Sequence, residues 1–238
     1  MPRVVRQVFT QQEKGGAVSR YVCSWQQRPA LCGSARAVDR YLRHCFSNPE
    51  AVSRQFVSSK IRCHSLASKF RVLPLAARRF ARESEVLCSL DLRTGRSFYL
   101  RGLRPSAICP PNPMSHREIQ AWLSRREGFV ASEVPLYSDI LTGHLDCLMV
   151  DDQEDYLYCV EVKSYPSDIR RPYLCSSRSK VFSSLVQSLS YAELLHLRIG
   201  VERLAVAIVH ASGCIALDAR AWLGGGRTLL SIVRGQIG

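Results

Sequence analysis

The chain has 238 residues, an apolar content that is ordinary for a globular protein, and a formal net charge of +13. No run of about 18 apolar residues occurs, and the basic start of the chain lacks an apolar signal core, so we expect neither a membrane span nor secretion. We therefore predict an intracellular protein whose ten cysteines are reduced thiols. The nucleus and the mitochondrion are both open, because the arginine-rich start is compatible with a transit peptide.

The positive charge is concentrated in the first half of the chain. Residues 1–110 hold 20 Lys and Arg against 6 Asp and Glu, whereas the remainder holds 13 against 14. Arginine predominates over lysine, which favours bidentate contacts with phosphate. This distribution predicts that the N-terminal half binds nucleic acid and that the C-terminal half contains the catalytic site. The alternative is a solubilising or targeting surface.

The N-terminal half is predicted to begin with an arm that helices follow. Residues 1–20 are polar and basic and are expected to be flexible. Apolar spacing predicts helices over 34–46 and 49–59, and a third over 66–83 that Pro74 breaks or restarts.

A hairpin and a proline-rich segment follow. Alternating apolar residues predict a β-hairpin with strands at 86–92 and 97–103. Residues 105–113 contain four prolines, so we predict irregular structure there and the best boundary in the chain. The predicted organisation is a flexible arm at 1–20, a basic nucleic-acid-binding region at 21–110 and a core at 111–238.

The core is predicted to run helix, three strands, helix, strand. Ser115 caps its first helix, with Glu118 placed as in a capping box. The resulting fold class is α/β with a mixed sheet. The predicted ranges are a helix at 116–127, strands at 129–137, 141–150 and 156–163, a helix at 179–197 and a strand at 204–209.

Three charged residues interrupt two otherwise apolar strands: Asp146, Glu161 and Lys163. A buried carboxylate is strongly unfavourable unless it is paired or binds a metal. Because side chains alternate along a strand, Glu161 and Lys163 share one face. Two carboxylates beside a lysine predict a site for a hard divalent cation. The alternative is a simple ion pair between Glu161 and Lys163.

These residues belong to a larger pattern: Gly143-x-x-Asp146, Glu161-x-Lys163 and Gln187-x-x-x-Tyr191. In this order and on these elements, it resembles the PD-(D/E)XK nuclease superfamily, in particular its RecB-like exonuclease branch. The resemblance covers roughly 115–210. It implies a restriction-endonuclease-like αβββαβ core, here preceded by a basic helical and hairpin region.

The resemblance also implies a role for each residue of the pattern. Asp146 and Glu161 would bind Mg²⁺ or Mn²⁺, together with the carbonyl of Val162. Lys163 would orient or activate the attacking water and offset charge on the phosphate. Gln187 and Tyr191 lie one helical turn apart, so they share a face and would support the site and contact nucleic acid.

Further candidates come from position alone. His116 matches a metal-ligating histidine of the RecB-like branch, and Glu118 competes with it for that role. Either could instead simply interact with the helix dipole. Glu133 matches a further acid that often precedes Gly-x-x-Asp. Only Cys214 follows Tyr191, so we do not predict the iron–sulfur cluster that several RecB-like members hold.

We thus expect a metal-dependent deoxyribonuclease, a single-strand-preferring exonuclease of DNA replication, repair or maintenance. The alternatives are a catalytically inactive nucleic-acid-binding module on a nuclease fold, or a nuclease directed at RNA. A zinc site is a separate possibility, although the spacing is irregular and free cysteines are common in protein cores. Its ligands would come from Cys23, Cys32, His44, Cys45, Cys63 and His64.

Overall fold

A computed structural model describes most of the chain. The described residues are 3–13, 15–27, 32–57, 59–92, 94–99, 104–111, 114–163, 180–210, 213–224 and 228–237. Over these ranges the protein is mixed α/β, with nine α-helices and one ten-stranded mixed sheet. None of the helices in these ranges is both long enough and apolar enough to span a membrane.

The strands and helices alternate irregularly along the chain. The strands are β1 Arg3–Gln12, β2 Val18–Gln27, β3 Ile61–Arg62, β4 Val86–Asp91, β5 Arg96–Tyr99, β6 Phe129–Tyr137, β7 Leu141–Asp151, β8 Tyr156–Lys163, β9 Leu204–His210 and β10 Gly213–Asp218. The helices are α1 Gly33–Cys45, α2 Pro49–Gln55, α3 Leu66–Lys69, α4 Val72–Glu83, α5 Pro105–Ile108, α6 His116–Leu123, α7 Lys180–Ile199, α8 Arg220–Leu223 and α9 Leu229–Ile237.

The sheet has the strand order β1-β2-β6-β7-β8-β9-β10-β4-β5, with β3 beside β7. The β3–β7 and β8–β9 pairs are parallel and the other neighbours are antiparallel. Helix α7 covers one face, where Leu157 and Cys159 of β8 are buried. Helix α6 covers the other face, where Val160 and Val162 are buried. The alternation predicted for β8 is thereby confirmed.

The element order predicted for the core is confirmed. A helix, three antiparallel strands, a second helix and a strand follow one another from Ser115 onward. The capping box also forms, because Ser115 and Glu118 exchange hydrogen bonds between side chain and backbone in both directions. Helix α6 is shorter than predicted, ending at Leu123, and α7 runs on to Ile199.

The flexible arm predicted over 1–20 was wrong for the described residues there. Strands β1 and β2 form a hairpin paired along its whole length, from Arg3–Gln27 to Gln12–Val18. The hairpin is ordered because it contributes Phe9 to the core. The alternation of more and less buried side chains along β1 and β2 was not predicted, because residues 1–20 are largely polar and basic.

One other prediction for the N-terminal half is confirmed and one needs correction. The helix predicted over 66–83 is divided into α3 and α4, and Pro74 falls in the first turn of α4, where a missing N–H is harmless, so Pro74 lies at the start of the second half as predicted. Part of the proline-rich segment is regular, because Pro105 occupies the first position of the short helix α5. The hairpin predicted over 86–103 is present as β4 and β5, with residues 93 and 100–103 outside the described residues.

The N-terminal half contributes strands at both edges of the sheet. The β1–β2 hairpin joins the core strands through β6, and the β4–β5 hairpin joins them through β10. Strand β10, which was not predicted, is therefore the link to β4.

Candidate metal centre

The candidate site lies where β7 and β8 separate. The two strands pair from Asp151–Tyr156 to Cys147–Val160 and no further. Beyond that pair β7 continues beside β6, and β8 continues beside β9. Asp146 and Glu161 are the neighbours of Cys147 and Val160, the last pair, on the side where the strands separate. The fold therefore places both carboxylates at the opening.

This opening is a cleft of about 310 Å³. It brings together seven of the residues predicted from the sequence, namely His116, Asp146, Glu161, Val162, Lys163, Gln187 and Tyr191. Four further positions complete the described lining besides Gly143: Gln11, Arg62, His64 and His144.

Glu161 is a buried carboxylate that is only half satisfied. Its side chain is 1% exposed, and its Oε1 atom accepts a hydrogen bond from Lys163 Nζ. Its Oε2 atom is buried and has no hydrogen-bond partner among the described residues. Burial raises the pKa of Glu161 well above its usual range, and the nearby Asp146 carboxylate adds to this, although Lys163 opposes it. A carboxylate in this position holds either a proton or a cation.

Lys163 is fixed by a chain of hydrogen bonds that leads to α7. Its Nζ atom donates to Gln187 Oε1 at 3.3 Å, and Gln187 Nε2 donates to the Tyr191 hydroxyl at 3.1 Å. Tyr191 is 2% exposed, so it supports the floor of the cleft. It also explains Gly143, because a Cβ atom at that glycine would lie 2.8 Å from Tyr191 Cε1.

The start of α6 brings His116 to Asp146. The His116 Nε2 atom lies 3.2 Å from Asp146 Oδ2, and the hydrogen bond to that carboxylate raises the pKa of His116. Glu118, the competing candidate, is not among the residues that line the cleft. Its carboxylate instead accepts a hydrogen bond from the Ser115 backbone at 2.7 Å.

Glu133 belongs to a second group of possible metal ligands. The ligand atoms of Glu133, His144 and Asp146 all lie within 4.8 Å of one another. Glu133 Oε2 and His144 Nδ1 are 2.6 Å apart and form an ion pair when the imidazole is protonated. The ligand atoms of both residues also lie close enough to Asp146 for the three side chains to bind one cation.

Glu133 also has an unusual backbone. Its φ of +50° is left-handed, in a strand that is otherwise regular at this point. The β2–β6 pairing ends at Ser24–Ser132, directly before Glu133, and Val134 then pairs with Leu145 of β7. Such backbone strain costs about 1–3 kcal/mol and is concentrated at functional sites. Gln120 Nε2 holds the carboxylate in place at 2.7 Å.

The donor set fits a divalent cation. Asp146 lies between two possible ligand groups, one with Glu161 and His116 and the other with Glu133 and His144. Carboxylate oxygens suit Mg²⁺ and Mn²⁺, and imidazole extends the choice toward transition metals. The Glu133 group is the only His, Cys, Asp and Glu cluster of ligand geometry within the described residues, and it contains none of the positions considered for zinc.

Several residues at the site were not predicted. His144 lies two residues before Asp146, and this spacing places both on one face of β7. Gln120 lies one turn after His116 on α6 and could have been found from helical spacing. Arg62, His64 and Gln11 carry no local signal, because only long-range packing brings them to the cleft.

Comparison with known proteins adds nothing to this assignment, since no family model, curated protein or solved structure matches the chain. The resemblance to PD-(D/E)XK nucleases therefore depends on the motif residues alone.

Proposed function

We propose that this chain is a metal-dependent nuclease of the PD-(D/E)XK type, with the restriction-endonuclease-like core formed by α6, β6, β7, β8, α7 and β9. The observation that carries the proposal is the convergence of two buried carboxylates, Asp146 and Glu161, beside Lys163 where two strands separate. Glu161 Oε2 has no hydrogen-bond partner in the described part of the chain, which supports a cation at this point.

A purely structural ion pair accounts for less of the site. Lys163 would neutralise Glu161, but a second buried carboxylate, Asp146, then remains beside the pair. Burying an extra negative charge is unfavourable without further positive charge. His116, whose pKa Asp146 raises, can supply at most one positive charge, whereas a divalent cation supplies two.

The proposed reaction is hydrolysis of a phosphodiester bond. A bound Mg²⁺ or Mn²⁺ would neutralise charge on the phosphate and acidify the attacking water. Asp146 and Glu161 would hold that ion, together with His116, the Val162 carbonyl and, on the other side, Glu133. The Lys163 ammonium would orient the water and stabilise negative charge as the oxygen–phosphorus bond forms and the leaving oxygen departs with a proton.

The chain's own hydrogen bonds would keep this geometry in place. Gln187 fixes the Lys163 ammonium, and the Val162 N–H fixes the Asp146 carboxylate at 2.7 Å. Preorganised groups of this kind need not rearrange when charge develops in the transition state. Lys163 and Asp146 are thus each held in position by a hydrogen bond to another residue of the chain.

The proposed substrate is DNA, and we favour a single-strand-preferring exonuclease that acts in replication, repair or maintenance. The net positive charge of residues 1–110 supports nucleic acid as the partner. The preference for free ends rests on the Gln187-x-x-x-Tyr191 pattern. The same chemistry would also cleave RNA, so the substrate has to be tested directly.

The test is digestion of end-labelled single-stranded DNA, duplex DNA, RNA and a closed circular single strand, each with Mg²⁺, Mn²⁺ or EDTA. Metal-dependent cleavage of linear DNA but not of the circle would support the exonuclease. Cleavage of the circle would make the enzyme an endonuclease with the same site. Binding of DNA without cleavage in either metal would contradict the proposal and indicate a nucleic-acid-binding module.

A further inference from the structure

We infer that Arg62 and His64 form an anion subsite within the same cleft, which binds a phosphate group of the substrate strand other than the one that is cleaved. The identification of the ligand as a nucleic acid phosphate rests on the proposed function. The residues come from the N-terminal half, outside the motif that carries the resemblance.

The short strand β3 places Arg62 at the cleft. It pairs in parallel with β7, with Arg62 opposite Thr142, directly before Gly143. The Ile61 N–H donates to the Ile140 carbonyl at 2.9 Å and secures the start of this pairing. The next residue, Cys63, is buried and would lie 3.1 Å from a Cβ atom at Gly143. Arg62 is therefore fixed beside the first residue of the motif.

The Arg62 guanidinium has capacity left for a ligand. One of its nitrogens, Nη2, donates to the Gln12 carbonyl of the β1–β2 hairpin. The other, Nη1, is shielded from solvent and has no hydrogen-bond partner among the described residues. An arginine nitrogen that is desolvated and unbonded is unfavourable, and an anionic oxygen is the partner that best satisfies it.

His64 adds a second hydrogen-bond donor near Arg62. It is an exposed residue of the cleft lining. Its pKa is lowered chiefly by partial burial of the ring, to which the positive groups His144, Arg62 and Lys163 add, while the Glu13 carboxylate opposes them. Arg62 and Lys163 thus place positive charge near the imidazole, which favours an anion there. The carboxylates Asp146 and Glu161 line the same cleft, where they are the ligands of the proposed cation site.

Phosphate is the anion that this arrangement fits. A planar guanidinium and an imidazole N–H can both donate to the oxygens of one phosphate. Gln11 lines the cleft beside them and is 4% exposed, so the hairpin closes that part of the wall. The phosphate could be a terminal group or an internal phosphodiester, and these two sources can be separated by experiment.

The experiment measures binding of a short fluorescent single-stranded DNA in EDTA, so that it needs no cleavage. The variants are Arg62→Met, Arg62→Lys and His64→Gln. The control is Arg79→Met, because Arg79 is an exposed arginine of α4 that pairs with Glu83 and is not part of the cleft lining. Arg62→Met should weaken binding about 10-fold, which is typical of a lost hydrogen bond to a charged group. The slope of log Kd against log salt concentration should fall by about 0.7, as expected for one single-strand phosphate contact.

Further binding measurements identify the source of the phosphate and test whether Arg62→Met merely disturbs the fold. Arg62→Lys should recover the salt slope, because it restores the charge without the bidentate geometry. A defect confined to strands with a 5′- or 3′-phosphate would assign a terminal group, and an equal defect on strands with hydroxyl ends would assign an internal phosphodiester. Unchanged affinity and slope in Arg62→Met would overturn the subsite, as would wild-type protein that binds no DNA. Binding lost in Arg62→Met by a protein that never cleaves would retain the subsite and reject the nuclease.

Discussion

The Asp146 carboxylate accepts a hydrogen bond from the Val162 backbone N–H at 2.7 Å, across the gap where β7 and β8 separate. The same oxygen, Oδ2, lies 3.2 Å from His116 Nε2. One carboxylate thus joins β7, β8 and the start of α6. It is both a structural link between these elements and the central ligand of the proposed metal site.

These two roles of Asp146 can be separated. In Asp146→Asn the side-chain oxygen can still accept from Val162, so the free energy of unfolding should change by only about 1 kcal/mol. Metal-dependent cleavage should fall by about 100-fold or more, because the negative charge is lost. Urea denaturation and the cleavage rate, measured on the same preparation, test this. Undiminished cleavage would show that Asp146 is not a ligand.

Gly143 should be intolerant of any side chain. A Cβ atom there would lie 2.8 Å from Tyr191 Cε1 and 3.1 Å from Cys63 Cβ, so Gly143→Ala should destabilise the protein by about 1–3 kcal/mol. The matched control is Gly235→Ala in α9, where nothing lies within 4 Å and alanine should stabilise by about 0.5–1 kcal/mol. Urea denaturation of both variants measures the difference. Equal stability of Gly143→Ala and wild type would refute the close approach of Tyr191.

Because the backbone at Glu133 is left-handed, we predict that glycine at this strand position is more stable than alanine. Glu133→Gly and Glu133→Ala both remove the carboxylate, but glycine should be more stable than alanine by about 1–2 kcal/mol because it adopts φ +50° without strain. In an ordinary strand the order is reversed, as Ala131→Gly should show. Denaturation midpoints of the three variants decide the matter. A more stable alanine at position 133 would exclude the left-handed conformation.

Glu161 should make stability depend on pH and on metal. Its pKa is raised above the usual 4.5 by burial, so the folded protein keeps a proton that the unfolded chain has released. The folded state then binds more protons, and its stability should fall as pH rises from 4.5 through the raised value. Saturating Mg²⁺ should offset that loss by replacing the proton, and metal affinity should increase with pH.

The measurement is the free energy of unfolding between mildly acidic and neutral pH, with Mg²⁺ or EDTA. Glu161→Gln should remove this component of the pH dependence, whereas Glu83→Gln, at an exposed position of α4, should leave it intact. Superimposable profiles for wild type and Glu161→Gln would mean that Glu161 does not carry the proton.

Local signals in the sequence predicted the central elements well. The exchange of hydrogen bonds between Ser115 and Glu118 fixes the start of α6, and alternation along β8 correctly assigned Glu161 and Lys163 to one face. These features depend on neighbours within a few residues. They are therefore readable without knowledge of the fold.

Features set by distant parts of the chain were missed. Strand β3 is two residues long, and its place beside β7 depends on pairing with Leu141 and Thr142. The meeting of Glu133 with His144 depends on a left-handed residue within β6, which no local pattern indicates. The ordering of β1 likewise depends on the burial of Phe9 against other elements.

The central claim is that Asp146, Glu161 and Lys163 form a metal-dependent catalytic site. The most direct test is the single-turnover cleavage rate of end-labelled single-stranded DNA by wild type, Lys163→Met and the exposed control Lys69→Met, each in Mg²⁺ and in EDTA. We predict cleavage by wild type and Lys69→Met in Mg²⁺ only, and a rate at least about 100-fold lower for Lys163→Met with DNA binding retained. Cleavage by Lys163→Met at the wild-type rate, or cleavage that persists in EDTA, would contradict this account.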